Sequence, residues 1–457
     1  MPSCTVRLRR QDFEIRRRDW QSGTAMLSYL IFAKFFPSRQ GADGGRSGIL
    51  PKFILSGADS PNKRILRWHV NQFCAAGFRR VRSLLSLGFP RDPRSGRTRS
   101  QSQDPEVNFA SDNTAAIAPG ILDALVRANQ GYALGYGNDA ATQRVERTIG
   151  EVFECDPAVF LVPTGTAANA LSLAHVTPPW GGVLCHEQAH IMTDECGAPE
   201  FFGGGLKLIG LPGANCKLSR DRLERAIARY SGHVPHQVNA ASVSLTQATE
   251  AGTIYRVDEI AALSEVAHAN GLAVHMDGAR FANALARMNA TPAEMTWKAG
   301  IDVLSFGATK GGAMAAEAVV FFDKARAASM AERRKRAGHL LSKHRFLAAQ
   351  FEGYLADGYW LSLARHANAM ADRLADGLRG AGISIVWPVE ANIVFALLPE
   401  ALDGKLKSAG ATYYVRPNTL AGDDVVIGED QMLVRLVTSF ATMEPDVDRF
   451  VALVRAG

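Results

Sequence analysis

The chain has 457 residues, 47% of them hydrophobic and 21% charged, which suits a folded globular protein with a large core and room for two or three domains. No apolar run reaches the roughly 18 residues that a membrane-crossing helix needs. The six cysteines show no paired spacing, so a disulfide scaffold is not indicated and a reducing, cytoplasmic setting is expected. The net charge of +6 averages two unlike parts: residues 1–100 hold 20 Lys and Arg against 6 Asp and Glu, whereas the remainder holds 31 against 39.

In chain order, the basic part comes first. Its stretches RLRRQDFEIRRRDW and FPRDPRSGRTRSQSQDPEV are rich in Arg, Ser, Gly and Pro and lack periodicity, which predicts a disordered leader over 1–104. Between them, TAMLSYLIFAKFF is compatible with a short helix, but it is too short and too poorly flanked for a good signal peptide. A block of like charge can contact nucleic acid, yet the leader shows no helix-turn-helix pattern, and neither nucleic acid nor membrane is expected as a partner.

From about residue 106 short apolar runs alternate with helical segments. VFLVP (159–163), GVLC (182–185), LKLIGL (206–211), ASVSL (241–245), LAVHMD (272–277), DVLSF (302–306) and AVVFF (318–322) read as buried strands. TAANALSLAHV and RVDEIAALSEVAHANG read as helices, the second closing on a glycine. This alternation predicts an α/β domain over 105–330 with a mainly parallel sheet, whose ligands sit at the carboxyl ends of the strands. A basic stretch, RRKRAGHLLSKHR, then leads into a long helical region (345–380). GISIVWP, NIVFALLP, TYYVRP and LVRLVTSF follow as hairpin-spaced strands, making a smaller α+β domain over 331–457.

Three strand ends carry chemistry. Asp277 ends the run VHMD, and Lys310 follows the next apolar run, alone among small residues in GATKGGAM. Thr164, Gly165 and Thr166 stand between a strand and a helix start, where free amides accept an anion. A phosphate cradle, a buried carboxylate and an isolated lysine are together what pyridoxal 5'-phosphate requires: the lysine for a Schiff base, the carboxylate for the pyridine nitrogen, the helix end for the phosphate.

From Asn108 to the C-terminus the chain resembles the L-threonine aldolases of the aspartate-aminotransferase fold (fold type I of pyridoxal-phosphate enzymes), and among them the low-specificity group. The resemblance is carried by ASDNTA, LGYGNDAATQRVE, FLVPTGTAAN, HMDGARFANA, LSFGATKGGAMAAEA, RRKRAGHLLSK and VRLVTSF. It implies Lys310 as the Schiff-base lysine, with the following glycines leaving room for the ring. It implies Asp277 at the pyridine nitrogen, Arg280 near the phenolic oxygen and the substrate carboxylate, and Gly165 and Thr166 on the phosphate. Ser111 and Arg435 are implied to bind the substrate α-carboxylate, and Tyr136 to be lent across a subunit interface in a homodimer or homotetramer. Lys335, Arg336 or Lys343 is implied to reach the neighbouring subunit's phosphate.

HEQAH (186–190) fits the H-E-x-x-H zinc pattern, which works only on a helix with a third ligand. Here it follows the strand-like GGVLC and no third ligand is evident, so no metal is expected. The resemblance instead makes His190 the imidazole stacked on the cofactor ring, and with it the candidate base. Many relatives carry Glu-Asn-Thr-His before the Asp-Gly-Ala-Arg strand, with the histidine on the substrate hydroxyl. This chain has SLTQAT (244–249), which leaves Gln247 nearest that role. The implied reaction is retro-aldol cleavage of L-threonine or L-allo-threonine to glycine and acetaldehyde. Another lyase of the same fold, such as a β-eliminating one, and a cofactor-bound regulator using the leader are the alternatives.

Overall fold

The computed structural model describes residues 107–232, 235–421 and 425–457, so the leader expected over 1–104 lies outside the described residues. A short strand β1 (Val107–Asn108) precedes helices α1 (Pro119–Ala128) and α2 (Ala140–Phe153). Strands and helices then alternate: β2 (Ala158–Val162), α3 (Gly165–Val176), β3 (Gly181–His186), β4 (Lys207–Leu211), α4 (Arg220–Arg229), β5 (Asn239–Thr246), α5 (Val257–Ala269), β6 (Ala273–Gly278), α6 (Phe281–Arg287), β7 (Val303–Gly307) and β8 (Glu317–Phe321). Helices α7 (Met330–Arg336), α8 (Arg345–Leu355) and α9 (Tyr359–Arg379) lead to β9 (Ser384–Ile385) and β10 (Ile393–Pro399). The chain finishes with α10 (Glu400–Ser408), β11 (Ala411–Thr412), β12 (Tyr414–Arg416), β13 (Gln431–Val437) and α11 (Glu444–Arg455).

Strands β2 to β8 form one seven-stranded sheet in the order β2-β8-β7-β6-β5-β3-β4. The pairings β3–β4, β3–β5, β5–β6 and β6–β7 are parallel, and β8 runs against both of its neighbours. Every residue of β3, β7 and β8 is buried, as expected of strands covered by helices on both faces. The mainly parallel α/β sheet read from the sequence is therefore present, each strand within two residues of its expected bounds. The loops that carry the candidate residues leave its carboxyl edge.

The C-terminal strands form a four-stranded antiparallel sheet ordered β12-β13-β10-β9. They are not simple successive hairpins, because β10 pairs with β13, more than thirty residues on. Strand β1 pairs in parallel with β11. Val107 and Phe109 accordingly join a second core with Leu374, Leu378, Val394, Leu436 and Phe450, not the core of the large sheet. Conversely, Leu347, Phe351, Tyr354 and Trp360 pack in the first core with Phe153, Phe281 and Phe306. The two cores part inside α9, between Ala364 and Met370. Aromatic bulk on α8 and the start of α9 decides this, since those rings complete a cluster begun on β7 and α6.

The glycines after Lys310 serve this packing. A Cβ on Gly311 would stand 2.4 Å from the Tyr354 hydroxyl, and one on Gly312 would stand 2.8 Å from the Ala118 Cβ. Gly312 also has φ +120°, a backbone state that side chains oppose. The bulk excluded here is that of the protein's own side chains on neighbouring elements. Gly312→Ala is expected to cost about 1–3 kcal/mol, read as a lower Tm of the cofactor-loaded protein in a thermal melt. An unchanged Tm would refute it.

Candidate active site

Four strand ends converge on a cavity of about 400 Å³ lined by Ser111, His190, Thr246, Asp277, Arg280, Lys310 and Arg435, among others. Thr246 closes β5 and stands beside Asp277 of β6 in the parallel register. Lys310 lies three residues beyond β7, and His190 four beyond β3. The architecture thus brings together residues up to 324 positions apart, Ser111 and Arg435.

Asp277 is 3% exposed. Its Oδ2 accepts from Asn169 Nδ2 of α3 at 2.8 Å, and its Oδ1 from the Ala279 amide at 2.9 Å, which locks the carboxylate in one orientation. Burial, followed by the Arg280 guanidinium, pushes the Lys310 pKa down against the pull of Asp112, Asp277 and Glu317. Both leading causes favour a neutral amine, the nucleophilic form.

The cationic side of the cavity holds more positive charge than the protein neutralises. Arg280 pairs with buried Asp112 through Nε (2.8 Å) and Nη2 (3.1 Å), and Asn392 Nδ2 adds a third contact at 3.1 Å. Burial works to raise the Asp112 pKa, but Arg280 and Lys310 outweigh it and hold the carboxyl below its ordinary range. Arg435 has no such partner among the described residues. Its Nη2 reaches only the Ala110 carbonyl, at 3.5 Å, its guanidinium lies 5.5 Å from the Tyr414 ring centre, and its Nε is buried without a partner. Burial, with Arg280 and Arg416 alongside, pushes Arg435 down to about 10. Arg416, on the same wall, likewise has an orphaned Nε. Two half-buried guanidinium groups, each with a buried and unused Nε donor, make a site for a small anion. Ser111 stands beside them, its hydroxyl capping the Asn113 amide at 3.1 Å.

On the opposite wall His190 Nδ1 contacts Glu195 Oε1 at 2.9 Å, and the same oxygen accepts from Asn169 Nδ2 at 2.9 Å. This contact with Glu195 raises the His190 pKa above its ordinary value. The pattern H-E-x-x-H is divided between elements: His186 ends β3, with Nε2 on the Gly213 carbonyl at 3.0 Å and Nδ1 on the Gln188 amide at 3.1 Å. Two further carboxyls stand close by. Burial pushes Glu250, on the cavity wall, up to about 7, and does the same to Glu317, beneath Lys310 on β8. Cys216 also lines the cavity, but burial pushes its thiol up to about 12, which leaves no thiolate to react.

Several expected residues stand elsewhere. Gln247 is a correction: it is fully buried, turned from the cavity, with Nε2 on the Tyr255 carbonyl and Oε1 on the Tyr255 amide, both at 2.9 Å. Gln247 lies in a bend just past the end of β5, where its side chain is held by the Tyr255 backbone while Thr246 and Ala248 on either side line the cavity. Gly165 and Thr166 open α3, where Thr164 caps the Ala167 amide at 3.2 Å; they are not on the cavity wall, but a Cβ on Gly165 would meet nothing within 4 Å. Tyr136 is 51% exposed, with φ +60°, and carries the Lys335 amine 4.8 Å from its ring centre. Neither this pair nor Arg336 or Lys343 lines this chain's cavity.

Asp112, Asn169, Glu195, Glu250, Glu317, Asn392 and Arg416 escaped the sequence reading. Some left a signal: Asn169 interrupts the apolar helix AANALSLA, and Glu317 opens an otherwise apolar strand. A polar residue inside a buried element needs a partner, and here the partners belong to the site.

Residues 108–401 match the family described as beta-eliminating lyase. Over 313 residues, 68% of this chain and 90% of the relative, the sequence is 44% identical to the low specificity L-threonine aldolase of Pseudomonas sp. (strain NCIMB 10558). A threonine aldolase structure from Leishmania major superposes with a TM-score of 0.71 at 30% identity, covering 77% of this chain and 99% of that one. A serine palmitoyltransferase from Sphingomonas wittichii, 13% identical with a TM-score of 0.58 over 87% and 98% of the two chains, shares the fold alone. The chain therefore belongs to the pyridoxal-phosphate-dependent beta-eliminating lyase family, in its low-specificity L-threonine aldolase branch.

Proposed function

We propose that the chain cleaves L-threonine and L-allo-threonine to glycine and acetaldehyde, within the cavity that holds Lys310. The observation that carries this reading is the combination of an isolated, neutral-leaning lysine, a carboxylate fixed by Asn169, and guanidinium groups without anionic partners. The residues present fit pyridoxal phosphate. Lys310 would hold its aldehyde carbon, Asp277 its ring nitrogen, His190 its face, and the amide end of α3 at Gly165 and Thr166 its phosphate. When bound, the cofactor supplies an electron sink for the carbon that loses its substituent.

The protein's own groups do the rest. Arg435, with Ser111 beside it, takes the substrate carboxylate, while Arg280 is oriented by Asp112. A carboxylate gripped on one side leaves the Cα–Cβ bond directed by the clamp, which is how binding energy becomes orientation. Asn169 and Glu195 keep His190 in one place and one protonation bias. Among the described residues no helix is long and apolar enough to cross a membrane. The exposed Tyr132, Leu134 and Tyr136 support a homo-oligomer in which this loop borders a neighbouring subunit, and the free cysteines support a reducing, cytoplasmic location.

The purified protein should carry the visible absorption of bound pyridoxal phosphate and release acetaldehyde from threonine, measured in a coupled aldehyde assay. Lys310→Ala should lose turnover, and a parent rate in that variant would refute the assignment. Arg435→Lys, which keeps charge but loses the forked donors, should raise KM for threonine roughly 10- to 100-fold with cofactor absorption unchanged. Gln247→Ala should act on the fold and not on selectivity. It removes both Tyr255 contacts and costs about 1–3 kcal/mol, so Tm should fall while the ratio of rates on the two threonine diastereomers stays as in the parent. A shifted ratio at unchanged Tm would restore Gln247 to the site.

A further inference from the structure

Among the acidic groups facing the cavity, Asp112 and Asp277 are engaged at both oxygens and Asp194 lies at its exposed rim. Glu250 differs. It lies four residues beyond Thr246, on the Asp277 side, and its Oε1 accepts the His190 amide at 2.8 Å. Its Oε2 is buried with no hydrogen-bond partner. Glu250 lines the cavity, and an orphaned, buried carboxyl oxygen is costly unless it is protonated or a small turn of the side chain brings it to a ligand's hydroxyl.

We propose that Glu250 is a catalytic residue that exchanges the β-hydroxyl proton of the substrate, using Oε2. The proposal rests on the aldolase reading and deepens it. As a carboxylate, Glu250 takes the hydroxyl proton; the O–H electron pair becomes the second bond of the aldehyde carbonyl. The Cα–Cβ bond breaks with its pair left on Cα, which then takes up one proton. One proton is removed and one returned, so the sum, threonine to glycine plus acetaldehyde, needs no other reactant. Two facts support it. Burial and the Asp277 charge push Glu250 up to about 7, so both its forms are accessible near neutrality. His190, the alternative, is biased toward imidazolium by Glu195, which weakens it as a base. The charged and titratable groups around Glu250 are His190, Asp277, the thiols of Cys185 and Cys216 and the Tyr255 phenol, and the Thr246 hydroxyl lies close enough to favour its carboxylate.

Glu250→Gln tests this, because the amide oxygen can still accept the His190 amide while the titrating oxygen is lost. In the holoenzyme, kcat for threonine should fall at least about 100-fold. Cofactor absorption and the affinity for glycine, which lacks the β-carbon, should be unchanged. In the parent, kcat should rise with pH through the region near 7, and that limb should vanish in the variant. Infrared difference spectra between roughly pH 6 and pH 8 should show two buried carboxyls titrating, from Glu250 and Glu317. Glu250→Gln should remove one of these bands and Glu317→Gln the other. A parent-like kcat and pH profile in Glu250→Gln would overturn the proposal alone, as would an infrared spectrum unchanged by that substitution. A parent protein inactive on threonine would overturn the aldolase reading, and this proposal with it.

Discussion

The Asp112–Arg280 pair joins the parts of the molecule that make the site. Asp112 comes from the segment before α1, Arg280 from the turn after β6, and Asn392, which completes the contact, from the residue just before β10 of the C-terminal sheet. One buried carboxylate thereby ties the large sheet to the second core. Its fork-on-fork geometry fixes direction as well as distance. Removing either partner would leave the other charged and buried, which is strongly destabilising. The pair also orients Arg280 toward the cavity and leaves Arg435 and Arg416 as cations without a matching anion among the described residues.

That imbalance organises the electrostatics. Lys310 lies among guanidinium groups and is pushed toward the neutral amine, whereas Asp277 is held by neutral donors, an amide side chain and a backbone amide. Glu250 and Glu317 are pushed the other way, toward the neutral acid, by the same burial. Burial thus works against the charged form in groups of both signs, Lys310 on one side and the two glutamates on the other.

His190 shows how one contact alters a role. As a lone imidazole after a strand it reads as a base. Paired with Glu195, itself shared with Asn169 and through it with Asp277, it becomes part of a buried polar chain that runs along one wall. Such a chain rigidifies what it holds, and it biases the ring toward the proton-bearing form. Stacking and positioning suit that form better than proton abstraction does.

The α/β class, the strand positions and the convergence of Asp277 and Lys310 were legible in the apolar runs, because buried parallel strands must be continuous apolar runs and their carboxyl ends must share an edge. Motif resemblance added Arg280, Ser111, Arg435 and His190, all of which line one cavity. The tertiary structure set which way Gln247 faces, because it lies in a bend past β5 and both of its polar atoms meet the backbone of Tyr255, eight residues on. It also decided the division of the cores within α9, the partners of Asp112, and the burial of Glu250. These depend on contacts between residues tens to hundreds of positions apart, and a one-dimensional pattern carries no record of which distant side chain fills the space opposite.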